Sequence, residues 1–194
     1  MFVTFEGVDG AGKSTLIATL SGRLHASGAS VLVTREPGDG EFGKEVRGLL
    51  LDRHVCPEAE LFLFLADRSE HVRNTIRPAL ERGDIVLCDR YGDSTVVYQG
   101  FARGFDIAML KELNAFATGN LVPDRTFVLD LDPSEATKRR TKGDRLDLET
   151  NEFHQKVRDG FLSLAREEPS RFVVLDAAVT TESLVDQVLN SWPT

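Results

Sequence analysis

The chain has 194 residues, of which 41% are hydrophobic and 28% charged, so its length and composition suit one globular domain over residues 1–194. The net charge of −8 argues against a general nucleic-acid binder, because affinity for a phosphate backbone comes from clustered lysines and arginines. The chain contains no run of 18 apolar residues and starts on a strand-like segment, so we expect a cytoplasmic protein that does not bind membranes.

Short apolar segments alternate with longer amphipathic stretches along the chain. The predicted strands are Phe2 to Phe5, Ser30 to Val33, Ile85 to Cys88, Thr126 to Leu131 and Phe172 to Leu175. The predicted helices are Gly12 to Ala26, Pro57 to Glu81, Phe105 to Thr118 and Glu149 to Glu167. This alternation predicts an α/β fold with a five-stranded parallel sheet and helices on both faces. Ligands of such sheets bind at the carboxyl ends of the strands, so functional residues are expected directly after each strand.

A phosphate-binding loop follows the first predicted strand. Residues 7–14 match the pattern G-x-x-x-x-G-K-[ST] between a strand and a helix start, which is the context that the pattern requires. Its glycines allow backbone N–H groups to converge on phosphate oxygens. We expect Lys13 to reach the β- and γ-phosphates of ATP as a catalytic residue, and Ser14 to bind Mg²⁺ through its hydroxyl. The predicted ATP-binding residues are Gly7, Val8, Asp9, Gly10, Ala11, Gly12, Lys13, Ser14 and Thr15.

Arginines follow the second predicted strand and recur in the next segments. Arg35 lies at the end of that strand, whereas Arg47 and Arg68 lie on segments with helical character. Either of the latter, taken alone, would be an ordinary solvated helix charge. Together with an arginine after the third strand, they indicate a second anion site, which would bind a phosphorylated acceptor opposite the loop.

The helix that carries Arg68 is apolar on every side between Leu61 and Ala66. A helix without a polar face is surrounded by other apolar groups or by a partner, so the side around Phe62 can pack against a symmetry mate. Phe64 lies one turn before Arg68 and could stack on a flat base, with core packing as the alternative.

Asp89 and Arg90 end the third predicted strand. Asp89 could bind Mg²⁺ directly or through water, as acidic residues do in P-loop nucleotidases. Residues 89–92 also fit the GTPase pattern D-x-x-G, but the chain has no Asn-Lys pair to read guanine, which argues against a GTPase. Arg90 is either a surface arginine paired with a carboxylate or a phosphate contact, and its position beside Asp89 favours the contact.

Hydroxyl and amide groups follow Arg90. If Ser94, Tyr98 and Gln99 lie on a helix, their spacings bring them towards one surface, where they could read the base and sugar of the acceptor. For Tyr98, an ordinary half-buried aromatic residue is the alternative.

Five cations lie close together after the fourth predicted strand. They are Lys138, Arg139, Arg140, Lys142 and Arg145. A solvated charge run is the usual explanation of such a cluster, but its position also suits a short basic lid over approximately residues 137–149. A closed lid would exclude water and bring guanidinium groups to the transferred phosphoryl. A donor loop, an acceptor pocket and a lid together favour transfer to a small phosphorylated acceptor over hydrolysis.

Taken in order, the motifs resemble those of the bacterial thymidylate kinases, which are P-loop nucleoside monophosphate kinases. The resemblance covers most of the chain and rests on FEGVDGAGKST, TREPG, FLADR, LCDRY, YQG, GDRLD and EFHQKVRDGF. It implies a P-loop kinase fold and phosphorylation of thymidine monophosphate to the diphosphate with Mg-ATP, in deoxythymidine triphosphate synthesis. It also implies a homodimer through the helix around Phe62, which agrees with the all-round apolar character of that helix.

The resemblance further implies roles for single residues of the acceptor pocket. Arg35 and Arg90 would hold the acceptor phosphate, with Arg90 counted among the catalytic residues. Phe64 would stack on thymine, and Arg68 and Arg47 would lie near the edge of the base.

The same resemblance assigns contacts to the sugar and to the rest of the base. Asp9 would contact the deoxyribose 3′-hydroxyl, Tyr98 would crowd the 2′ position, and Ser94 and Gln99 would touch the base. The predicted substrate-binding residues are Asp9, Arg35, Arg47, Phe64, Arg68, Arg90, Ser94, Tyr98 and Gln99.

The sequence also departs from that family pattern. Gly10 stands where some members carry a catalytic arginine in the loop, so this chain looks like the type that carries it in the lid, with Arg145 as the first candidate and Arg140 as the second. The usual PGGT is PGDG at residues 37–40, which adds Asp39, a carboxylate that could weaken phosphate affinity or face solvent. The usual second serine after Asp93 is Thr95.

Two other functions stay open at this point. Another nucleotide or deoxynucleoside kinase of the same fold would share these motifs. A nucleotide-dependent switch or scaffold would share the phosphate-binding loop but would not need an acceptor pocket.

Overall fold

A five-stranded parallel sheet forms the centre of the computed structural model, which describes residues 1–139 and 149–193. The strands are β1 (Phe2–Glu6), β2 (Val31–Arg35), β3 (Ile85–Asp89), β4 (Arg125–Asp130) and β5 (Phe172–Asp176). Their order across the sheet is β2-β3-β1-β4-β5, with every neighbouring pair parallel. All five predicted strands and the predicted α/β fold class are confirmed.

Alternating side chains of β1 explain how both faces of the sheet are covered. Every residue of this strand is buried, as is typical of a central strand in a parallel sheet. Val3 and Phe5 belong to the larger of two hydrophobic clusters, and Phe2 belongs to the smaller one, since successive side chains point to opposite faces. The polar Thr4 is satisfied by a hydrogen bond of 2.8 Å between its Oγ1 and that of Thr126 on β4.

Helical segments connect the strands. They are α1 (Lys13–Ala26), α2 (Gly40–Asp52), α3 (Pro57–His71), α4 (Arg77–Glu81), α5 (Gly92–Thr95), α6 (Ile107–Thr118), α7 (Pro133–Arg139), α8 (Asn151–Glu167) and α9 (Thr181–Asn190). Two π-helical segments, π1 (Val72–Ile76) and π2 (Val96–Ala102), continue α3 and α5. The predicted helix from Pro57 to Glu81 is therefore α3, π1 and α4 in succession, and α1, α6 and α8 are also confirmed.

The core face predicted for α8 is confirmed. The hydroxyl of Thr150 caps this helix by accepting a hydrogen bond of 3.2 Å from the backbone N–H of Phe153. Phe153, Val157, Phe161 and Leu164 all lie buried in the larger cluster. This helix thereby covers the sheet next to π2.

The predicted lid, residues 137–149, starts within α7 and ends before α8. Its two candidate catalytic residues, Arg140 and Arg145, lie outside the described residues. None of the helices described in residues 1–139 and 149–193 is both long and apolar enough to cross a bilayer. The assignment of residues 1–194 to a single domain stays a prediction.

Candidate active site

A cavity of about 690 Å³ lies where β1, β2 and β3 end. All nine predicted substrate-binding residues line it. Six of the predicted ATP-binding residues also line it, namely Asp9, Gly10, Gly12, Lys13, Ser14 and Thr15. Gly7, Val8 and Ala11 lie behind this surface, within the loop that shapes it.

Close backbone packing explains the first glycine of the phosphate-binding loop, residues 7–14. Gly7 has a φ of 131°, and a Cβ at this position would lie 2.5 Å from the carbonyl oxygen of Leu129 on β4. Gly12 has a φ of 95° and is the N-cap of α1. Such angles favour glycine, so these two glycines allow the tight turn from β1 into α1. The turn brings the N-terminus of α1 to the cavity, and a helix N-terminus binds phosphate favourably.

Lys13 is held by the carbonyl oxygens of its own loop. Its Nζ donates to the oxygens of Gly7 and Val8, both at 3.1 Å. Burial lowers the pKa of Lys13, and the neighbouring Arg90 guanidinium lowers it further, while the Asp9 carboxylate opposes the shift. The ammonium group therefore lies at the loop beside both an arginine and a carboxylate.

Ser14 and Asp89 bring two oxygen ligands together at the ends of α1 and β3. Ser14 Oγ donates to Asp89 Oδ2 at 2.9 Å, and Nη2 of Arg35 lies 3.7 Å from the same oxygen. Mg²⁺ prefers oxygen ligands and, beside phosphates, takes only one or two of them from the protein. This pair fits a magnesium ion bound with a nucleotide. Within residues 1–139 and 149–193, no group of three or more His, Cys, Asp or Glu side chains could hold a metal without phosphates.

Arg90 connects the loop with the acceptor side of the cavity. It has a φ of 72°, an unusual angle for a residue other than glycine. Its guanidinium donates to Asp9 Oδ1 at 2.8 Å and to Ser94 Oγ at 3.1 Å. It also lies over the Tyr98 ring, 5.1 Å from the centroid, and the Tyr98 hydroxyl donates to Asp9 Oδ2 at 3.3 Å. Four predicted site residues thus form one cluster.

Glu6 on β1 holds this cluster in place through hydrogen bonds, and the sequence analysis did not identify Glu6 as a site residue. Its fully buried carboxylate accepts hydrogen bonds from the backbone N–H of Tyr91 at 2.8 Å and from Ser94 Oγ at 2.6 Å. Burial raises the pKa of Glu6 to about 7, although the Arg90 guanidinium opposes the shift. A carboxylate in a buried strand needs partners, so Glu6 carried a readable signal in its position directly before the loop.

Arg68 is bound on several sides by protein groups. Its Nε donates to Glu36 Oε2 at 2.8 Å, and Nη2 donates to the carbonyl oxygen of Tyr91 at 3.1 Å. Nη1 donates to Thr95 Oγ1 at 2.8 Å and to Asn114 Oδ1 at 2.5 Å. These four hydrogen bonds take four of the five guanidinium N–H groups and tie α3 to the loop after β2, to α5 and to α6. The predicted contact of Arg68 with a base edge stays a prediction.

The sequence is similar to known thymidylate kinases over nearly its whole length. The sequence model described as thymidylate kinase matches residues 5–188. The chain is 50% identical to the thymidylate kinase of Desulfovibrio desulfuricans, in an alignment that covers 96% of this chain and 92% of the relative. It is 47% identical to that of Solidesulfovibrio magneticus, with 97% and 96% covered, and 46% identical to that of Deinococcus radiodurans, with 97% and 94% covered.

The chain belongs to the thymidylate kinase family. The resemblance drawn from the sequence motifs is therefore confirmed, and so is the P-loop kinase fold expected with it.

Three further predicted substrate-binding residues of this thymidylate kinase family member also line the cavity, namely Arg35, Arg47 and Phe64. Phe64 on α3 is half-buried, and Arg35 is exposed. Arg47 on α2 donates from Nη1 to the carbonyl oxygen of Pro37 at 3.0 Å. Gly38 runs so close to Arg47 that a Cβ there would lie 2.9 Å from its Cδ. The loop after β2 and α2 therefore form one continuous surface.

Gln99 also lines the cavity, and its side chain contacts the carboxylate of Glu60, which the sequence analysis did not identify. The Gln99 side chain lies on π2 and donates from Nε2 to Oε1 of the buried Glu60 at 3.2 Å. Ser94 and Tyr98 line the cavity beside it, so the predicted placement of these three residues on one surface is confirmed. Their contacts with a nucleotide stay predictions.

Of the two departures from the family pattern, Thr95 lines the cavity and is buried, whereas Asp39 is half-buried outside the cavity. Oδ2 of Asp39 accepts a hydrogen bond of 3.0 Å from Thr75 Oγ1 and lies 3.8 Å from Nε2 of His71. Asp39 does not line the cavity, so its carboxylate links the loop after β2 to α3 and π1. Thr95 uses its hydroxyl to accept from Arg68, as a serine would.

Of the predicted lid, residues 137–139 and 149 lie among the described residues. Arg139 lines the cavity and donates to the carbonyl oxygen of Ala177 at 3.0 Å. The catalytic roles of Arg140 and Arg145 stay predictions.

Proposed function

We propose that this chain is a nucleoside monophosphate kinase that transfers the γ-phosphoryl group of Mg-ATP to thymidine monophosphate, in the synthesis of deoxythymidine triphosphate. Membership of the thymidylate kinase family supports this reaction. The observation that carries it is the 2.8 Å ion pair between Asp9 of the phosphate-binding loop and Arg90 of the acceptor side. Two anion sites joined by one ion pair share a cavity, which suits direct transfer between them.

The donor half consists of the loop and the magnesium ligands. Lys13 and the N-terminus of α1 hold the phosphates of ATP, and Ser14 and Asp89 hold the metal. Magnesium supplies charge neutralisation on the phosphate oxygens when it is bound. Transfer needs no covalent enzyme intermediate, because positioning and electrostatic stabilisation carry most of phosphoryl-transfer catalysis.

The acceptor half of the site binds the phosphate, the base and the sugar of the nucleoside monophosphate. Arg90 and Arg35 bind its phosphate, since guanidinium groups grip phosphate oxygens bidentately. Phe64 stacks on the base, and Gln99 hydrogen-bonds to the edge of the base. The Tyr98 hydroxyl donates to Asp9 Oδ2 at 3.3 Å and both residues line the cavity, so the two side chains together form the surface against which the sugar binds.

A homodimer through α3 is part of the proposal. Phe62 on α3 is 62% exposed and Phe116 on α6 is 89% exposed, while α3 and α6 pack against each other. Large exposed apolar side chains on adjacent helices are typical of a protein–protein surface. We also expect the enzyme in the cytoplasm, where its nucleotide substrates occur.

Coupled assays with each nucleoside monophosphate test the proposal. ATP consumption should depend on thymidine monophosphate and should be slower with other bases. A preference of roughly tenfold or more for another base would assign a different kinase of this family fold. ATP turnover that no monophosphate changes would instead indicate a switch or scaffold.

A further inference from the structure

The buried side chains of Glu60 and Gln99 and the partly buried side chain of Arg103 form a cluster beside the cavity. Glu60 on α3 is 2% exposed, and its Oε1 lies 3.2 Å from Nε2 of Gln99 and 3.1 Å from Nε of Arg103. Gln99 lines the cavity, whereas Glu60 and Arg103 do not. The cluster therefore connects the surface that faces a ligand to a carboxylate that a ligand cannot reach.

The carboxylate of Glu60 determines which atom of the Gln99 amide faces Glu60 and which atom faces away from Glu60. A carboxylate only accepts hydrogen bonds, whereas an amide has an NH₂ group that donates and an oxygen that accepts. The atom of Gln99 that faces Glu60 must therefore be the nitrogen. In residues 1–139 and 149–193, no group donates a hydrogen bond to Oε1 of Gln99, so this oxygen is left for a ligand in the cavity.

Arg103 keeps the carboxylate in place. Besides Glu60, its guanidinium contacts Glu149 Oε1 at 3.1 Å and lies 5.2 Å from the centre of the Phe153 ring. Truncating one partner of a buried ion pair is costly, so the position of Glu60 is strongly determined. A fixed carboxylate in turn fixes the amide that hydrogen-bonds to it.

A fixed amide oxygen distinguishes between pyrimidine bases. Thymine and uracil carry a hydrogen on N3 and donate there, whereas N3 of cytosine is an acceptor. We propose that Glu60 is a positioning residue that holds the Gln99 oxygen towards N3 of the acceptor base and thereby selects bases with a protonated N3. This inference rests on the proposed function, because it takes the base to lie against Gln99.

The substitution Glu60→Gln tests the inference, because it keeps the shape of the side chain but allows residue 60 to donate or accept. The Gln99 amide is then free to turn its NH₂ group towards cytosine. The ratio of kcat/KM for thymidine monophosphate to that for deoxycytidine monophosphate should fall by roughly tenfold, the size of one misplaced hydrogen bond. We expect the change mainly in KM, because the base is bound alike before and during transfer.

A double-mutant cycle with Gln99→Met separates orientation of the amide from general disturbance of the fold. With no amide at position 99, Glu60→Gln should leave the ratio unchanged, whereas a structural effect would persist. Glu60→Asp, which keeps a carboxylate, should retain more of the ratio than Glu60→Gln does. Melting temperatures of all variants show whether each one is folded.

The outcomes separate the inference from the proposed function. A wild-type enzyme that phosphorylates no pyrimidine monophosphate would refute the proposed function. A wild-type enzyme that prefers thymidine monophosphate, together with a folded Glu60→Gln variant of unchanged ratio, would overturn only the role of Glu60. If Glu60→Gln does not fold, an unchanged ratio in Gln99→Met would overturn it as well, since the amide then reads no base.

Discussion

Replacing Arg68 by methionine should destabilise the protein far more than replacing any exposed arginine of the site. Arg68 is 2% exposed and donates four hydrogen bonds, one of them to the buried carboxylate of Glu36. Methionine fills a similar volume but donates none of these bonds. Among the residues that the structure describes, the substitution leaves Glu36 with His71 as its side-chain donor, through a contact of 2.8 Å.

The expected loss follows from these contacts. Removing one partner of a buried ion pair costs about 3–5 kcal/mol, because the other charge is left buried. In a chain of this length each kcal/mol lowers Tm by roughly 2–4 °C, so Arg68→Met should lower Tm by roughly 10 °C. Thermal unfolding followed by circular dichroism measures this change.

Arg35→Met is the matched control. The Arg35 side chain is 52% exposed, and its nearest carboxylate oxygen lies 3.7 Å away on Asp89. Exposed pairs contribute about 0–1 kcal/mol, so this variant should keep its Tm within roughly 3 °C of wild type while its affinity for the acceptor falls. Equal Tm losses in the two variants, or no loss in Arg68→Met, would refute the argument that Arg68 holds the site together.

Four further predictions follow from the site and the surface. Arg90→Ala should lower kcat by roughly 10²-fold or more while ATP affinity changes far less, and equal losses in both would contradict a role at the acceptor phosphate. Tyr98→Leu should reduce the preference for deoxyribose over ribose roughly tenfold, whereas Tyr98→Phe, which keeps the ring, should retain it. Burial raises the pKa of Asp67 from 3.8 to about 6, so the stability that the protonated Asp67 contributes is complete below about pH 4 and is lost as the pH rises through 6. The free energy of unfolding of the wild type minus that of Asp67→Asn should therefore fall between about pH 4 and pH 6. A difference that stays constant over this range would contradict the argument. Phe62→Glu should give monomers in light scattering at concentrations where the wild type is a dimer. Val174→Glu is the control, because Val174 is an exposed apolar residue on β5, away from α3, and this variant should stay dimeric.

Local sequence signals were sufficient for the sheet and the donor loop. Apolar runs gave all five strands within two residues, because burial on both faces leaves a continuous hydrophobic stretch. The loop was readable because glycine spacing and a lysine suffice to define it. By contrast, α2 was not delimited, since Gly40, Gly43 and Gly48 lower its helix propensity. α9 could have been found from its Thr180 cap and the spacing of its buried residues.

The buried carboxylates were the main part of the site that the sequence did not yield. Glu6, Glu36 and Glu60 each act through a partner that lies at least 32 positions away along the chain. Pairing over such distances depends on how helices and strands pack, and no periodicity encodes it. Arg35 and Arg90 were found because charge is unusual at the end of a buried strand, but no local pattern distinguishes Arg68, which is enclosed by protein groups, from Arg35, which is open to solvent.

A co-crystal structure with thymidine monophosphate, magnesium and an ATP analogue tests the central claim most directly. The account predicts the acceptor phosphate on Arg90 and the ATP terminus on Lys13, with reacting atoms about 3–3.5 Å apart in line. An acceptor phosphate bound away from Arg90, too far from the ATP terminus for direct transfer, would contradict it.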